Sequence, residues 1–171
     1  ASSTGGLAYI DFQNDDPQVK PMNYDFSKKG YSLVVVNTGG SHDDLTADYA
    51  SIPAEMKAVA RVFGQEVLRQ VQPERFLSLP VVREKLDVPN VDRALLRATH
   101  FFDENRRVSD QVTALQEDNL EDFLRLVIES GRSSYCYLQN LFASPQHQEL
   151  CLALMLAERR LAGKGAWRVH G

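Results

Sequence analysis

Residues 38–49, TGGSHDDLTADY, bring together residue types that could take part in ligand chemistry. Gly39 and Gly40 would let the backbone approach a ligand closely, although a tight turn with positive φ angles needs the same residues. His42 is a candidate general base because imidazole titrates near neutral pH, and the alternative role is to order the loop by hydrogen bonds. The phenol of Tyr49 can bind a polar ligand while its ring covers an apolar face, or it can be a core residue.

Other spacings exclude several kinds of catalytic site. Two cysteines and four scattered histidines give no zinc-ligand spacing, and we predict no metal ligands in the chain. The Gly39-Gly40 pair is too short to be a phosphate-binding loop before a helix N-terminus. Asp11, Asp15 and Asp16 lie in YIDFQNDDP, a context typical of a strand and a turn. We therefore identify no catalytic carboxylate among these three.

Strand patterns precede the loop. Residues 7–12 and 19–24 flank the turn QNDDPQ and predict a β-hairpin, in which Pro21 indicates an edge strand. Residues 31–37, YSLVVVN, are the strongest strand pattern, and their continuous apolar run predicts burial on both faces. A polar loop that follows such a strand is a common location for ligand contacts in α/β proteins.

Helical periodicity dominates the chain after residue 50. One buried face is predicted from Ile52 to Val67, with Pro53 tolerated only near a first helical turn. One or two short helices are predicted over residues 73–86. A last helix is predicted over residues 145–161, and a glycine breaks it.

Two asparagines mark the starts of the central helices. Asn90 is predicted to cap a long helix that carries one apolar stripe and ends near residue 116. Asn119 is predicted to cap the next helix, which ends at Ser130 with Gly131 as its stop.

This order of elements, three strands, then helices, then a final strand over residues 166–169, predicts an α+β fold. We expect the final strand to pair beside residues 31–37, so that the sheet packs over the helices. With 43% hydrophobic and 25% charged residues, the 171-residue chain has the composition of a soluble globular protein.

Charge and hydropathy argue against two further classes of protein, those that bind nucleic acid and those that span a membrane. The net charge of −4 argues against nucleic-acid binding, because a protein that binds the phosphate backbone needs a positive field. No stretch approaches the roughly 20 apolar residues of a membrane span. Cys136 and Cys151 allow one disulfide, but we predict two reduced, mostly buried thiols in a cytosolic protein.

Four stretches together resemble the galactokinases, which belong to the GHMP kinase superfamily. Residues 34–56, VVVNTGGSHDDLTADYASIPAEM, are similar to the segment that leaves the first strand of that family's C-terminal domain and reaches a sugar-contacting tyrosine. Residues 93–134 resemble its long helix and the serine-containing segment that follows. GAWRVHG, residues 165–171, resembles the start of the glycine-rich third motif. ASSTGGLAYIDF, residues 1–12, resembles the stretch after the catalytic aspartate.

The resemblance implies a fold and a division into domains. Residues 1–30 would be a β-hairpin from the end of the N-terminal kinase domain. Residues 31–171 would be an incomplete GHMP-kinase C-terminal domain, with a ferredoxin-like antiparallel sheet packed against helices. The chain would be a fragment that starts after the catalytic aspartate, upstream of Ala1. It would be stable with the rest of its polypeptide, or as a homo-oligomer that pairs an open sheet edge.

The activity implied by the resemblance is transfer of the γ-phosphoryl group of ATP to the C1 hydroxyl of α-D-galactose, with Mg²⁺, in the cytoplasm. The aspartate base and the phosphate loop would lie outside this chain, so the segment alone would be inactive and would hold no catalytic residue. Tyr49, Gly39 and Gly40 would contact the sugar.

Further residues would support the site without contacting substrate: His42, Ser130, Ser133 and Gly171. The two serines would belong to a turn that lines the site, or else cap a helix end. ESGRSS departs from some relatives, in which a histidine often follows the serine, and this leaves the subfamily open. The alternatives are a sugar sensor that signals through a partner, a kinase of N-acetylgalactosamine or another hexose, and a helical interaction domain.

Overall fold

The computed structural model describes residues 6–13, 16–39, 46–76, 79–140 and 148–168. It begins with a β-hairpin, in which β1 (Leu7–Asp11) pairs antiparallel with β2 (Gln18–Met22). Leu7 lies opposite Met22 and Asp11 opposite Gln18, so the predicted hairpin is confirmed. Among the described residues β1 and β2 form a two-stranded sheet, which leaves an open edge where Pro21 is tolerated.

Helices make up most of the remaining structure, so the α+β class is confirmed with helix dominant. Short 3₁₀ turns lie at Phe26–Lys29 and Leu68–Gln70, and a π-helical turn lies at Ser134–Leu138. The described α-helices are α1 (Thr46–Val62), α2 (Pro73–Phe76), α3 (Leu79–Lys85), α4 (Val91–Gln116), α5 (Leu120–Ser133) and α6 (Glu149–Leu161).

The two predicted N-caps are confirmed. The side-chain oxygen of Asn90 accepts a hydrogen bond from the backbone N–H of Arg93 at 3.0 Å, and α4 begins there. Asn119 accepts from the backbone N–H of Asp122 at 3.2 Å, and α5 begins there. Each cap satisfies one of the amide groups that have no partner inside the helix.

The turn between α4 and α5 also holds the chain that follows the hairpin. Asp118, with φ of 56°, accepts hydrogen bonds from Lys29 Nζ at 2.5 Å and from the Tyr24 hydroxyl at 3.2 Å. The rings of Phe26 and Phe123 pack beside this contact with their centroids 5.5 Å apart. The 3₁₀ turn after β2 is thereby fixed against the start of α5.

The apolar core lies between α1, α3, α4 and the chain over residues 68–76. Ala94 and Ala98 are fully buried, and their small side chains let α4 approach α1 closely. The predicted face of α1 is confirmed at Val59 and Ala60, whereas Val67 lies beyond the helix and is exposed. Pro53 lies in the interior of α1, so its predicted restriction to a first turn is wrong.

Residues 31–37 do not form the predicted buried strand. They have no assigned secondary structure, and the side chains from Leu33 to Val36 are 74–92% exposed. The described residues contain no strand partner for this segment, and a strand requires the hydrogen bonds of a neighbour. The predicted final strand over residues 166–169 is absent from residues 166–168, which likewise have no strand partner among the described residues, and Val169 lies outside the described residues.

Gly131 does not end α5 as predicted. The helix continues to Ser133, runs into the π-helical turn, and ends before Gln139, which has φ of 58°. A Cβ at Gly131 would lie 3.4 Å from the Cα of Arg168 and 3.6 Å from the carbonyl oxygen of Trp167. This glycine therefore permits close backbone approach between α5 and residues 167–168.

The last helix agrees in part with prediction. Gly163, with φ of 72°, breaks the chain after α6 as expected, whereas the predicted start at residue 145 lies outside the described residues. Cys136 and Cys151 are both free thiols, but Cys136 is exposed, so its predicted burial is wrong. None of the described helices is long and apolar enough to cross a membrane.

Candidate functional site

The predicted sugar-contacting residues lie at and before the start of α1. Tyr49 is half-buried in the first turn of the helix. Gly39 is exposed with φ of 76°, and its N–H donates to the side-chain oxygen of Asn37 at 2.9 Å, so the turn itself requires a glycine there. Gly40 and His42 lie outside the described residues, as does Gly171.

Ser130 and Ser133 are both buried and both face α4. The Ser130 hydroxyl donates to the carboxylate of Glu104. The Ser133 hydroxyl lies 2.9 Å from Nδ1 of His100. These hydroxyls therefore bond side chains of the neighbouring helix and do not cap the end of their own helix.

A polar face of α4, missed by the sequence reasoning, organises these contacts. The expected apolar stripe of this helix is half-buried or buried, with Ala98 and Leu115 among the buried residues, but a second row of side chains also faces the protein. Its members are spaced alternately by four and three residues, the repeat that keeps side chains on one helix face. They are Arg93, Arg97, His100, Glu104 and Arg107.

The first half of this face forms the Glu55 cluster, which comprises Glu55, Ser51, Arg93 and Arg97. Arg93 donates to Glu55 through Nε at 3.0 Å and Nη2 at 2.6 Å. Nη1 of Arg97 donates to Glu55 at 2.8 Å and to the Ser51 hydroxyl at 2.7 Å. The side chain of Arg97 is only 2% exposed, and its Nε donates to the Leu138 carbonyl at 3.1 Å. The cluster joins α1, α4 and the π-helical turn.

The second half forms the Glu104 cluster, which comprises Glu104, Arg107, Ser130 and Arg168. The Glu104 carboxylate accepts from the Ser130 hydroxyl and from the guanidinium of Arg107. Arg168 lies 3.6 Å from the same carboxylate. The cluster joins α4, α5 and residues 167–168, at the place where Gly131 allows close approach.

His100 lies between the two clusters. Burial lowers the pKa of its imidazole, and the positive charges of Arg107 and Arg168 act in the same direction, while Glu104 and Asp103 oppose them. Ser133 supplies its hydrogen bond. The neutral imidazole is therefore the form that this environment favours.

Acid is expected to destabilise the protein through His100. Its folded-state pKa lies below the unfolded value of about 6.5, so the unfolded chain binds the proton more tightly. The stability that the neutral His100 contributes is fully present above a pH of about 6.5 and is lost as the pH falls below it. The melting temperature of the parent protein should therefore fall more between about pH 7.5 and pH 5 than that of His100→Gln. Equal falls would contradict the assignment.

The Ser133–His100 pair does not make a hydrolytic site. Both side chains are buried, and the nearby carboxylate of Glu104 bonds Ser130 and Arg107. In the described ranges no three His, Cys, Asp or Glu side chains converge to hold a metal ion. A groove of 380 Å³ between residues 68–73 and α4 contains none of the predicted site residues. The hydrogen bonds and ion pairs of the two clusters join neighbouring elements of the structure.

Comparison with known proteins finds sequence relatives of the chain. No family model matches the chain. The chain is 36% identical over 104 residues to a galactokinase of Actinobacillus pleuropneumoniae serotype 5b, a match that covers 61% of the chain and 26% of that protein. It is 32% identical over 127 residues to a galactokinase of Glaesserella parasuis serovar 5, covering 74% and 31% respectively.

A third relative gives a similar result. A galactokinase of Thermotoga neapolitana is 31% identical over 105 residues, which cover 61% of the chain and 27% of that protein. The matches therefore span between 26% and 31% of the length of these three relatives. The chain is a sequence relative of the galactokinases that corresponds to less than a third of their length.

Proposed function

We propose that this chain is part of a galactokinase, the enzyme that phosphorylates the C1 hydroxyl of α-D-galactose with ATP and Mg²⁺. The observation that carries the proposal is the match to galactokinases from three organisms, at 31–36% identity over more than 100 residues. The activity belongs to the protein in which the chain functions. The chain's own contribution is part of the wall of the sugar pocket.

In this proposal Tyr49 contacts the sugar, with Gly39 and Gly40 providing backbone close to it. Tyr49 is half-buried in the first turn of α1 and its hydroxyl oxygen is buried, so in this proposal the hydroxyl bonds a sugar that the pocket encloses, while the ring covers an apolar sugar face. His42 and Gly171 order the surrounding loops. Ser130 and Ser133 support the site indirectly, through their bonds to α4.

ATP and Mg²⁺ are assigned mainly to residues outside this chain. Magnesium needs converging oxygen ligands, usually carboxylates and phosphates, and the described ranges offer no such group of side chains. A phosphate site needs amide groups at a glycine-rich loop, and this sequence has no such loop before a helix. We therefore assign no step of phosphoryl transfer to a residue of this chain, and we expect the isolated segment to be inactive.

The exposed apolar side chains from Leu33 to Val36 favour the idea that another part of the same polypeptide covers them. These side chains are among the most exposed apolar groups described, and β-branched residues favour a sheet. We propose that further strands cover them in a cytoplasmic kinase, completing the ferredoxin-like sheet of a GHMP C-terminal domain over residues 31–171. Residues 1–30 would then belong to the N-terminal domain. Without such strands, association between copies would cover the run.

The test is galactose-dependent ADP release by the longest natural polypeptide that contains this sequence. Tyr49→Phe should raise KM for galactose by about 2- to 10-fold, because it removes one hydrogen bond to the sugar. KM for ATP should stay unchanged. Tyr137→Phe, which alters an exposed tyrosine on the π-helical turn, is the matched control and should behave like the parent. ADP release that does not depend on galactose would contradict the proposed function.

A further inference from the structure

We propose that Arg97 is a positioning residue that holds the sugar-contacting turn of α1 against the π-helical turn. The inference rests on the proposed function, because it concerns the setting of Tyr49. Arg97 does not contact substrate in this proposal. It acts through Ser51 and Leu138, which belong to the two elements that it joins.

The contact with α1 lies close to Tyr49. Nη1 of Arg97 donates to the Ser51 hydroxyl at 2.7 Å, and Ser51 follows Tyr49 by two residues. The same nitrogen donates to Glu55 one turn further along the helix, at 2.8 Å. A guanidinium that binds two successive turns fixes both the rotation and the axial position of α1. The rotation of α1 determines the direction in which the Tyr49 ring points.

The contact with the π-helical turn is made by a different nitrogen. Nε of Arg97 donates to the Leu138 carbonyl at 3.1 Å, at the last residue of that turn. The next residue, Gln139, has φ of 58°, so the chain changes direction there. π-Helical turns inside helical segments are frequent at functional sites. Arg97 thus fixes the end of this turn relative to the start of α1.

The need to neutralise the charge of Glu55 does not explain why the guanidinium of Arg97 is buried. Arg93 already binds both carboxylate oxygens of Glu55, at 2.6 and 3.3 Å. Arg97 in addition donates to the Ser51 hydroxyl and the Leu138 carbonyl, which lie on two other elements. The guanidinium serves these partners and Glu55 from two separate nitrogens, Nε and Nη1, whereas a lysine ammonium has its donors on one nitrogen. The arrangement therefore points to a geometric role.

The experiment changes the link to Ser51 without burying a new charge. In the longest natural polypeptide, Ser51→Ala should raise KM for galactose about 3- to 10-fold through lost positioning, with KM for ATP unchanged. Ser51→Thr keeps the hydroxyl and should restore the parent value. Arg97→Lys should act in the same direction as Ser51→Ala. Ser109→Ala and Arg106→Lys, two exposed positions on α4, are the matched controls.

Hydrogen exchange gives a readout that does not depend on turnover. Ser51→Ala should speed amide exchange in residues 46–52 and 134–140, with exchange in α4 unchanged. Unchanged exchange in both segments would overturn the inference, whether or not the protein turns over galactose. Equal rises in both KM values with a general loss of protection would indicate a structural role and also overturn it. Absence of galactose turnover in the parent would count against the proposed function alone.

Discussion

Replacing Glu55 by alanine is expected to lower the free energy of unfolding by about 3–5 kcal/mol, among the largest effects of a single substitution in this protein. Glu55 is buried and accepts hydrogen bonds from two arginines. Arg93 is partly exposed and can turn to solvent when its partner is removed. Arg97 is 2% exposed and cannot, so its charge would remain buried without the carboxylate of Glu55.

Urea unfolding of the parent and variant proteins measures this effect, with Glu84→Ala on the exposed side of α3 as the matched control. The double variant Glu55→Met with Arg97→Met removes both buried charges together. It should recover much of the lost stability, because an apolar pair of similar volume often replaces a buried ion pair without loss. A loss below about 1 kcal/mol for Glu55→Ala would show that water reaches Arg97.

The parts of the fold that the sequence predicted correctly depend on local rules. The caps at Asn90 and Asn119 require only a side-chain oxygen and the amide three residues later. The hairpin requires a turn between two strand patterns, and the face of α1 requires helical spacing. Each of these signals lies within one element.

The incorrect predictions depend on contacts between distant residues. Residues 31–37 have every intrinsic preference of a buried strand, but a strand needs a partner that the described residues do not supply. Gly131 was expected to end a helix, since glycine commonly does so. Its actual role is set by residues 167–168, which lie far away in sequence. Local sequence cannot distinguish a glycine that ends a helix from one that admits another chain segment.

The candidate site was predicted to a smaller extent than the fold. Ser130 and Ser133 were identified, but the α4 side chains that bind them were not. The signal was present as charged and polar residues at alternating four- and three-residue spacing along α4. Charged residues are rarely buried unless they are paired, so such a row normally indicates a solvated helix face. The partners of this row come from α1, α5 and the chain after α6, and only the tertiary structure brings them together.

Replacing Glu104 by alanine is expected to lower the free energy of unfolding by about 2–4 kcal/mol. The substitution leaves the fully buried Ser130 hydroxyl and the buried Arg107 guanidinium without their acceptor. Glu104→Gln should lose less, because its amide oxygen can still accept from Ser130. Asp103→Ala, at the preceding residue, breaks only an exposed ion pair with Arg106 and should lose under about 1 kcal/mol. Equal losses in urea for Glu104→Ala and Asp103→Ala would contradict the expectation.

A double-mutant cycle then separates the two arginines that share Glu104. Arg107 is buried and directly bonded, whereas Arg168 is 39% exposed and lies 3.6 Å away. Coupling of Glu104 to Arg168 should therefore stay below about 1 kcal/mol, while coupling to Arg107 should exceed it. Such a result would mean that the ion pair contributes little to holding residues 167–168 against α4 and α5. The close backbone approach at Gly131 would still hold residues 167–168 against α5, since it needs no charge at residue 168.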